Sequence, residues 1–245
     1  MKEFYIRSFT AVIYVIILLI PLFLNEYLFY TVGFLCSLIL VYEFIKLISN
    51  YNHKFLSADS GKSNFILYLT FPLYISLFIL SFNLIWQSIF LSIILLTNII
   101  LGFSLVKNKY FSFTILKNRF VGHFYLVGSL VILFSIPTVS SNYDPYYIFC
   151  FLCLIWISDS ASYVFGINFG KNPLFKSVSP KKSIEGFIGG IIFSFILSIF
   201  FYKTISLDFS LIQWIFLAIL ISLTGTLGDL VQSQFKREAG VKDSG

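Results

Sequence analysis

Two carboxylates stand out by their surroundings. Asp159 lies in Ile157-Ser158-Asp159-Ser160-Ala161-Ser162-Tyr163, inside or near the inner end of a long apolar run. An acid at that depth costs about 2.5–3.5 kcal/mol on insertion scales, and such residues face a protein interior or a wet cavity. A structural contact to a neighbouring Ser or Tyr is the competing reading. Asp229 opens a second group. On a helix, Asp229, Ser233, Lys236 and Arg237 fall at i, i+4, i+7 and i+8 and share one face. A carboxylate followed by two cations suits Mg²⁺ with a polyphosphate. Mg²⁺ takes one or two carboxylates and leaves positions for phosphate oxygens, while Arg and Lys neutralise the other phosphates. An amphipathic helix lying at the membrane interface would present the same face.

A third group is basic. Gly170-Lys171-Asn172-Pro173 is followed by Ser179-Pro180-Lys181-Lys182-Ser183-Ile184-Glu185-Gly186. Ser179 before Pro180 predicts a helix N-cap and first position. Lys181 and Lys182 would then sit in the first turn. Two ammonium groups beside free helix N–H groups make an anion site. The ordinary basic charge of a cytoplasmic loop would supply the same pair. Gly186, Gly189 and Gly190 follow at helical spacing and predict a smooth face for close helix packing.

These groups sit in a chain of 245 residues that is 58% apolar and 11% charged, with mean hydropathy +0.90. An average soluble domain carries roughly 25% charged residues. The composition excludes an ordinary globular enzyme, a disordered protein and a nucleic-acid-binding module. A polytopic membrane protein remains. Cys36, Cys150 and Cys153 all lie in apolar runs. Cys150 and Cys153 form a C-x-x-C with no second ligand pair, so they read as small buried residues one turn apart rather than a zinc site.

The elements that must position the chemistry are apolar runs: 9–24, 27–48, 65–82, 84–106, 121–139, 146–166, 187–202 and 211–227. None alternates apolar with polar residues, so the expectation is helices rather than barrel strands. Lys2 and Arg7 precede the first run and no small-residue cleavage site follows. That run is therefore read as a retained helix, not a signal peptide. With the N-terminus cytoplasmic and the runs alternating, every one of the 17 basic residues except Lys203 falls on the inner side. The fold expected is all-α, a polytopic integral membrane protein with about eight transmembrane helices. No internal repeat or linker divides the chain, so residues 1–245 are read as one membrane domain. Residues 1–145 supply hydrophobic helices. Residues 146–245 supply the catalytic part, because acids, Gly and Ser reach membrane depth from Ser158 onward.

Together these segments resemble the phosphatidate cytidylyltransferase family, the CDP-diacylglycerol synthases. Ser233-x-Phe235-Lys236-Arg237-x-x-x-x-Lys242-Asp243-x-Gly245 looks like the first half of that family's signature, with Gly228-Asp229-Leu230 just before it. Ser158-Asp159 with Tyr163 and Gly166 is similar, and so is the run from Ser179 to Gly190. The likeness covers roughly Ser158 to Gly245. Ala161 and Ser162 stand where the family has Gly-Ala. The family's signature also continues through a Gly-Gly motif to a distal Asp-Arg and a last helix, whereas this sequence stops at Gly245. A further C-terminal helix is expected if the sequence is a piece, and a crippled site if it is not.

The resemblance implies a multi-pass enzyme of the bacterial inner membrane, acting on CTP and phosphatidate to give CDP-diacylglycerol and pyrophosphate with Mg²⁺. It implies Asp229 as metal ligand, with Asp159 or Asp243 as the second. It implies Lys181, Lys182, Lys236, Arg237 and Lys242 on phosphates, and Ser179, Ser233 and Glu185 at the substrate. A homodimer is one open option for assembly, and no nucleic acid is expected. Two other readings stay open. A CTP-dependent polyprenol or lipid kinase would transfer the γ-phosphate and need a general base. An ion-coupled transporter would use Asp159 and Asp229 as a relay, though its features would recur in both halves of the chain.

Overall fold

A chain in hydrocarbon must satisfy every backbone N–H and C=O within itself, and a helix does so inside one segment. The apolar runs accordingly are helices in the computed structural model, which describes residues 2–55, 84–107, 121–138 and 142–241. Helix α1 spans Lys2–Leu24, α2 Glu26–Phe55 and α3 Leu84–Val106. A π-helical stretch, Val121–Val127, runs into α4, Gly128–Ser135, and a 3-10 turn, Ile136–Thr138. Helix α5 spans Pro145–Phe169, α6 Ile184–Thr204 and α7 Leu211–Glu238. Two short strands, β1 (Pro173–Phe175) and β2 (Ser179–Ser183), stand between α5 and α6.

Among the described residues six stretches are long and apolar enough to cross a membrane: Glu26–Leu47, Ser88–Val106, Val121–Thr138, Pro145–Phe169, Ile184–Thr204 and Leu211–Glu238. Large apolar side chains such as Phe103, Ile212 and Phe216 are exposed on them, as lipid-facing residues would be. The protein is an all-α, multi-pass membrane protein. Of the eight spans expected, the first is a shorter apolar helix, Val12–Leu24, and the third, 65–82, lies outside the described residues.

The chain divides into two compact units. The first comprises the described parts of Met1–Ile45, Asp59–Ile94 and Arg119–Pro145. There Phe29 packs on Phe134 with ring centroids 4.6 Å apart, and Gly33 lets the Phe134 ring approach where a Cβ would lie 2.7 Å from it. The Tyr143 hydroxyl donates to the Leu22 carbonyl at 2.8 Å. Burial, then Tyr30 and Glu26, push that hydroxyl's pKa well above the usual phenol value.

The second unit comprises the described parts of Lys46–Ala58, Leu95–Asn118 and Tyr146–Gly245. Its core joins Cys150 and Leu154 of α5, Phe201 of α6, and Trp214, Ala218 and Ile221 of α7. Both cysteines of the C-x-x-C are free thiols, Cys150 buried and Cys153 half-buried. Next to this core three buried serines link three helices. Ser158 Oγ donates to Ser222 Oγ at 3.1 Å, and Ser222 Oγ donates to Ser194 Oγ at 3.0 Å. Ser194 Oγ completes the series on the Leu154 carbonyl at 3.5 Å.

The predicted glycine face packs against α5. A Cβ at Gly186 would lie 2.5 Å from the Ser162 carbonyl oxygen, and one at Gly190 would lie 2.8 Å from that of Ser158. One interhelical hydrogen bond in a membrane is worth about 0.6 kcal/mol on average. Overpacking a tight contact costs about 1–3 kcal/mol. The glycine contact therefore governs how close α5 and α6 come, and the serines fix α7 beside them.

The hairpin follows from local chemistry. Strand β2 pairs antiparallel with β1, placing Pro173 opposite Ser183 and Phe175 opposite Ser179. The expected N-cap at Ser179 and Pro180 is corrected: these residues are extended, and helix α6 begins at Ile184. Ser183 is its N-cap, and its Oγ accepts from the Gly186 N–H at 3.1 Å. The reason is that Ser179 and Ser183 pair with β1, with a register irregularity between them, and Ile184 N–H donates to the Asn172 carbonyl at 2.9 Å. Glu185, in the first turn, accepts from the backbone N–H of Lys171 at 3.1 Å and from Asn172 Nδ2 at 2.8 Å. Helix α7 opens with a capping box between Ser210 and Gln213. It runs unbroken through Gly225 and Gly228 to Glu238.

Two predictions follow from this packing. Gly190→Ala should lower stability by about 1–3 kcal/mol in thermal unfolding in detergent, whereas Gly225→Ala, whose Cβ position has no atom of another element within 4 Å, should leave the midpoint unchanged or raise it. Glu185→Gln should speed hydrogen exchange at the Lys171 and Asn172 amides while leaving exchange within α7 as it was.

Candidate active site

The hairpin and the ends of α5, α6 and α7 enclose a cavity of about 590 Å³, within the second unit. That volume falls in the range of small-molecule sites. Its polar lining comes from Asp159 and Ser162 of α5, Thr226 and Asp229 of α7, and Lys181, Lys182 and Ser183 of β2. Its apolar lining includes Ile167 and the ring of Tyr163 of α5, Leu174 of β1 and Phe187 of α6.

Two of these charges form an ion pair. Lys182 Nζ forms an ion pair with Asp229 Oδ2. Asp159 lies within electrostatic reach of both Asp229 and Lys182. Two carboxylates and two ammonium groups thus balance formally at one end of the membrane spans. Asp159 and Asp229 are both exposed to the cavity mouth rather than sealed in the bundle. Ser158, one residue from Asp159, is bonded to Ser222 of α7, so the two helices that carry the two acids are joined directly beneath one of them.

The structure brings together four of the residues singled out in the sequence: Asp159, Asp229, Lys181 and Lys182. The two lysines reach the cavity from a strand rather than from the first turn of a helix, so the anion-attracting charge there belongs to their ammonium groups. Ser179, Ser233, Lys236, Arg237 and Glu185 do not line the cavity. Glu185 is committed to the 171–172 backbone. Arg237 is tied to the hairpin, its Nε donating to the Val178 carbonyl at 3.5 Å. Ser233 and Lys236 are half-buried on α7 beyond Asp229. Lys242 and Asp243 lie outside the described residues.

Several lining residues were given no role at the site from the sequence. Ser162, Tyr163 and Gly166 stand in the motif around Asp159 and fall at i+3, i+4 and i+7 from it, one helical face that periodicity could have marked as lining. Thr226 stands one turn before Asp229 by the same rule. Leu174 and Ser183 carry no such signal, since only the hairpin pairing brings them to the site.

The chain is similar to known proteins. A protein named phosphatidate cytidylyltransferase from Staphylococcus saprophyticus is 45% identical over 102 residues, which is 41% of this chain and 38% of that protein. One of the same name from Staphylococcus haemolyticus is 47% identical over 102 residues, with the same coverage. One from Aquifex aeolicus is 40% identical over 120 residues, or 49% of this chain and 43% of that protein. The matched stretch thus spans about two fifths of the length of these relatives. The family described as the cytidylyltransferase family matches residues 5–245, nearly the whole sequence. This chain belongs to the cytidylyltransferase family.

Proposed function

We propose that this protein transfers CMP from CTP to phosphatidate, giving CDP-diacylglycerol and pyrophosphate. The observation that carries the reading is the cavity itself. Two carboxylates from two membrane helices share one cavity with two lysines from a hairpin and with apolar side chains. A lipid phosphate needs such a place, with polar groups for the head and apolar side chains for the glycerol and the first methylenes. The names of the relatives support the substrate pair.

The chemistry asks little of a general base. The phosphatidate phosphate is already an anion at neutral pH. Its oxygen attacks the α-phosphorus of CTP, a P–O bond forms, and the bond to the β-phosphate oxygen breaks to release pyrophosphate. The demands are alignment and stabilisation of charge on the transferring group. Lys181 and Lys182 would hold phosphate oxygens as point charges. Ser162 and Thr226 offer hydroxyl donors in the same cavity. A γ-phosphate transfer to an alcohol would instead need a base beside the hydroxyl.

The donor set suits Mg²⁺. Asp159 and Asp229 are hard oxygen ligands, and two carboxylates with room left for phosphate oxygens match its habits. They would hold the ion, which would supply charge neutralisation at the phosphates when bound. The arrangement of basic residues along the sequence supports a bacterial inner-membrane location with a cytoplasmic N-terminus and the cavity facing CTP in the cytoplasm.

Label transfer in detergent micelles tests the reading. CTP labelled at the α-phosphorus, with phosphatidate and Mg²⁺, should place label in the lipid phase. CTP labelled at the γ-phosphorus should not, with phosphatidate or with a polyprenol. Asp229→Asn should cut the α-label incorporated on the order of a hundredfold or more, while membrane fractionation finds the chain inserted as before. Label from the γ position into lipid would make this a kinase. No label in lipid, from this chain or from one lengthened past Gly245, would overturn the proposal.

A further inference from the structure

The Lys182–Asp229 ion pair places an ammonium group on the carboxylate best situated to hold a cation. We propose that Lys182 is a tethered counter-ion: it occupies Asp229 while the cavity is empty, and it passes to a phosphate when a polyphosphate enters, which frees Asp229 for a divalent cation. The inference rests on the reading of Asp229 as a metal ligand and adds an order of dependence to it.

Three observations carry it. Lys182 stands on β2 immediately before the N-cap Ser183, so its backbone is fixed by the strand pairing and the helix start while its long side chain is free to swing. Its ammonium is only partly buried, at 28% side-chain exposure, and Asp229 is more open, at 56%. A pair this accessible is screened by water and can exchange partners. Asp159 and Lys181 line the same cavity. Asp159 therefore gives the site a second negative charge when Lys182 leaves, and Lys181 gives an incoming phosphate a first contact before the exchange.

The physical consequence is a linkage. An ammonium on Asp229 Oδ2 opposes a divalent cation at the same carboxylate, by charge repulsion and by holding that oxygen, so a cation binding alone works against Lys182. With a polyphosphate present, a phosphate oxygen receives the displaced ammonium and that opposition disappears. Divalent cation and nucleotide therefore strengthen each other's binding, and by reciprocity the factor is the same from either side. The device would keep the bare site from holding a cation tightly in the absence of nucleotide.

Mn²⁺ binding followed by electron paramagnetic resonance, on the full 245-residue chain in detergent without nucleotide, tests this directly. Lys182→Gln should bind Mn²⁺ about tenfold more tightly than the native chain. Lys182→Arg, which keeps the charge, should stay near the native value. Lys182→Gln combined with Asp229→Asn should lose the gain. In equilibrium dialysis with labelled CTP, the factor by which Mn²⁺ tightens CTP binding should be smaller in Lys182→Gln by the same roughly tenfold. Thermal unfolding of each variant in the same detergent keeps a folding defect from passing for a binding one. Mn²⁺ binding that Asp229→Asn abolishes but Lys182→Gln leaves unmoved would overturn the counter-ion role and spare the metal reading. No Mn²⁺ binding by any of these proteins would overturn both.

Discussion

The close approach of α5 and α6 at Gly186, Gly189 and Gly190 is the constraint on which the second unit depends. A side chain at Gly186 would meet the backbone oxygen of Ser162, and one at Gly190 would meet that of Ser158. Backbone cannot swing aside as a rotamer can. The approach sets where Asp159 lies relative to the start of α6, and hence relative to the hairpin that leads into it. In hydrocarbon no hydrophobic force pulls helices together, so small residues and hydroxyl contacts must do that work. Ser158, Ser194 and Ser222 supply it for α7.

A second layer of constraint comes from the hairpin. Its residues could have opened a helix, as Ser-Pro commonly does. They pair with Pro173–Phe175 instead, and the helix begins four residues later at the Ser183 cap. Glu185 then anchors the 171–172 turn through charge-assisted hydrogen bonds. Arg237 grips the other end of the hairpin at Val178. Glu185 and Arg237 thus shape the loop that carries Lys181 and Lys182 into the cavity.

Electrostatics at the site follows from this placement. A carboxylate within the membrane is costly unless it meets water or an opposite charge. Asp229 has both, an exposed position and the Lys182 ammonium. Asp159 shares the cavity and the same ammonium. Two acids and two lysines balance in formal charge there, and the Lys182–Asp229 pair is open enough to accept phosphate and a cation. The apolar side chains of Ile167, Leu174 and Phe187 complete a surface suited to an amphipathic substrate.

Composition, run length and charge asymmetry were enough to specify a multi-pass helical protein, because a bilayer allows few backbone solutions and each leaves a long-range signature in hydropathy. The run 84–106 became a helix with those bounds. The acids at 159 and 229 and the lysines at 181 and 182 were legible as well, since charge at membrane depth is rare enough to be informative. The N-cap expected at Ser179 moves to Ser183 because capping depends on which backbone groups are already spent, and Ser179 is paired with Phe175 of the neighbouring strand. The role of a residue such as Glu185 or Arg237 could not be read either, because a charged side chain has the same sequence signature whether it faces a ligand or a loop carbonyl. Sequence by itself determined the membrane class and the charged residues available for chemistry. Only the tertiary structure decided which of them share one cavity, because that depends on how closely two glycine-faced helices approach and on a hairpin held by contacts between residues distant in sequence.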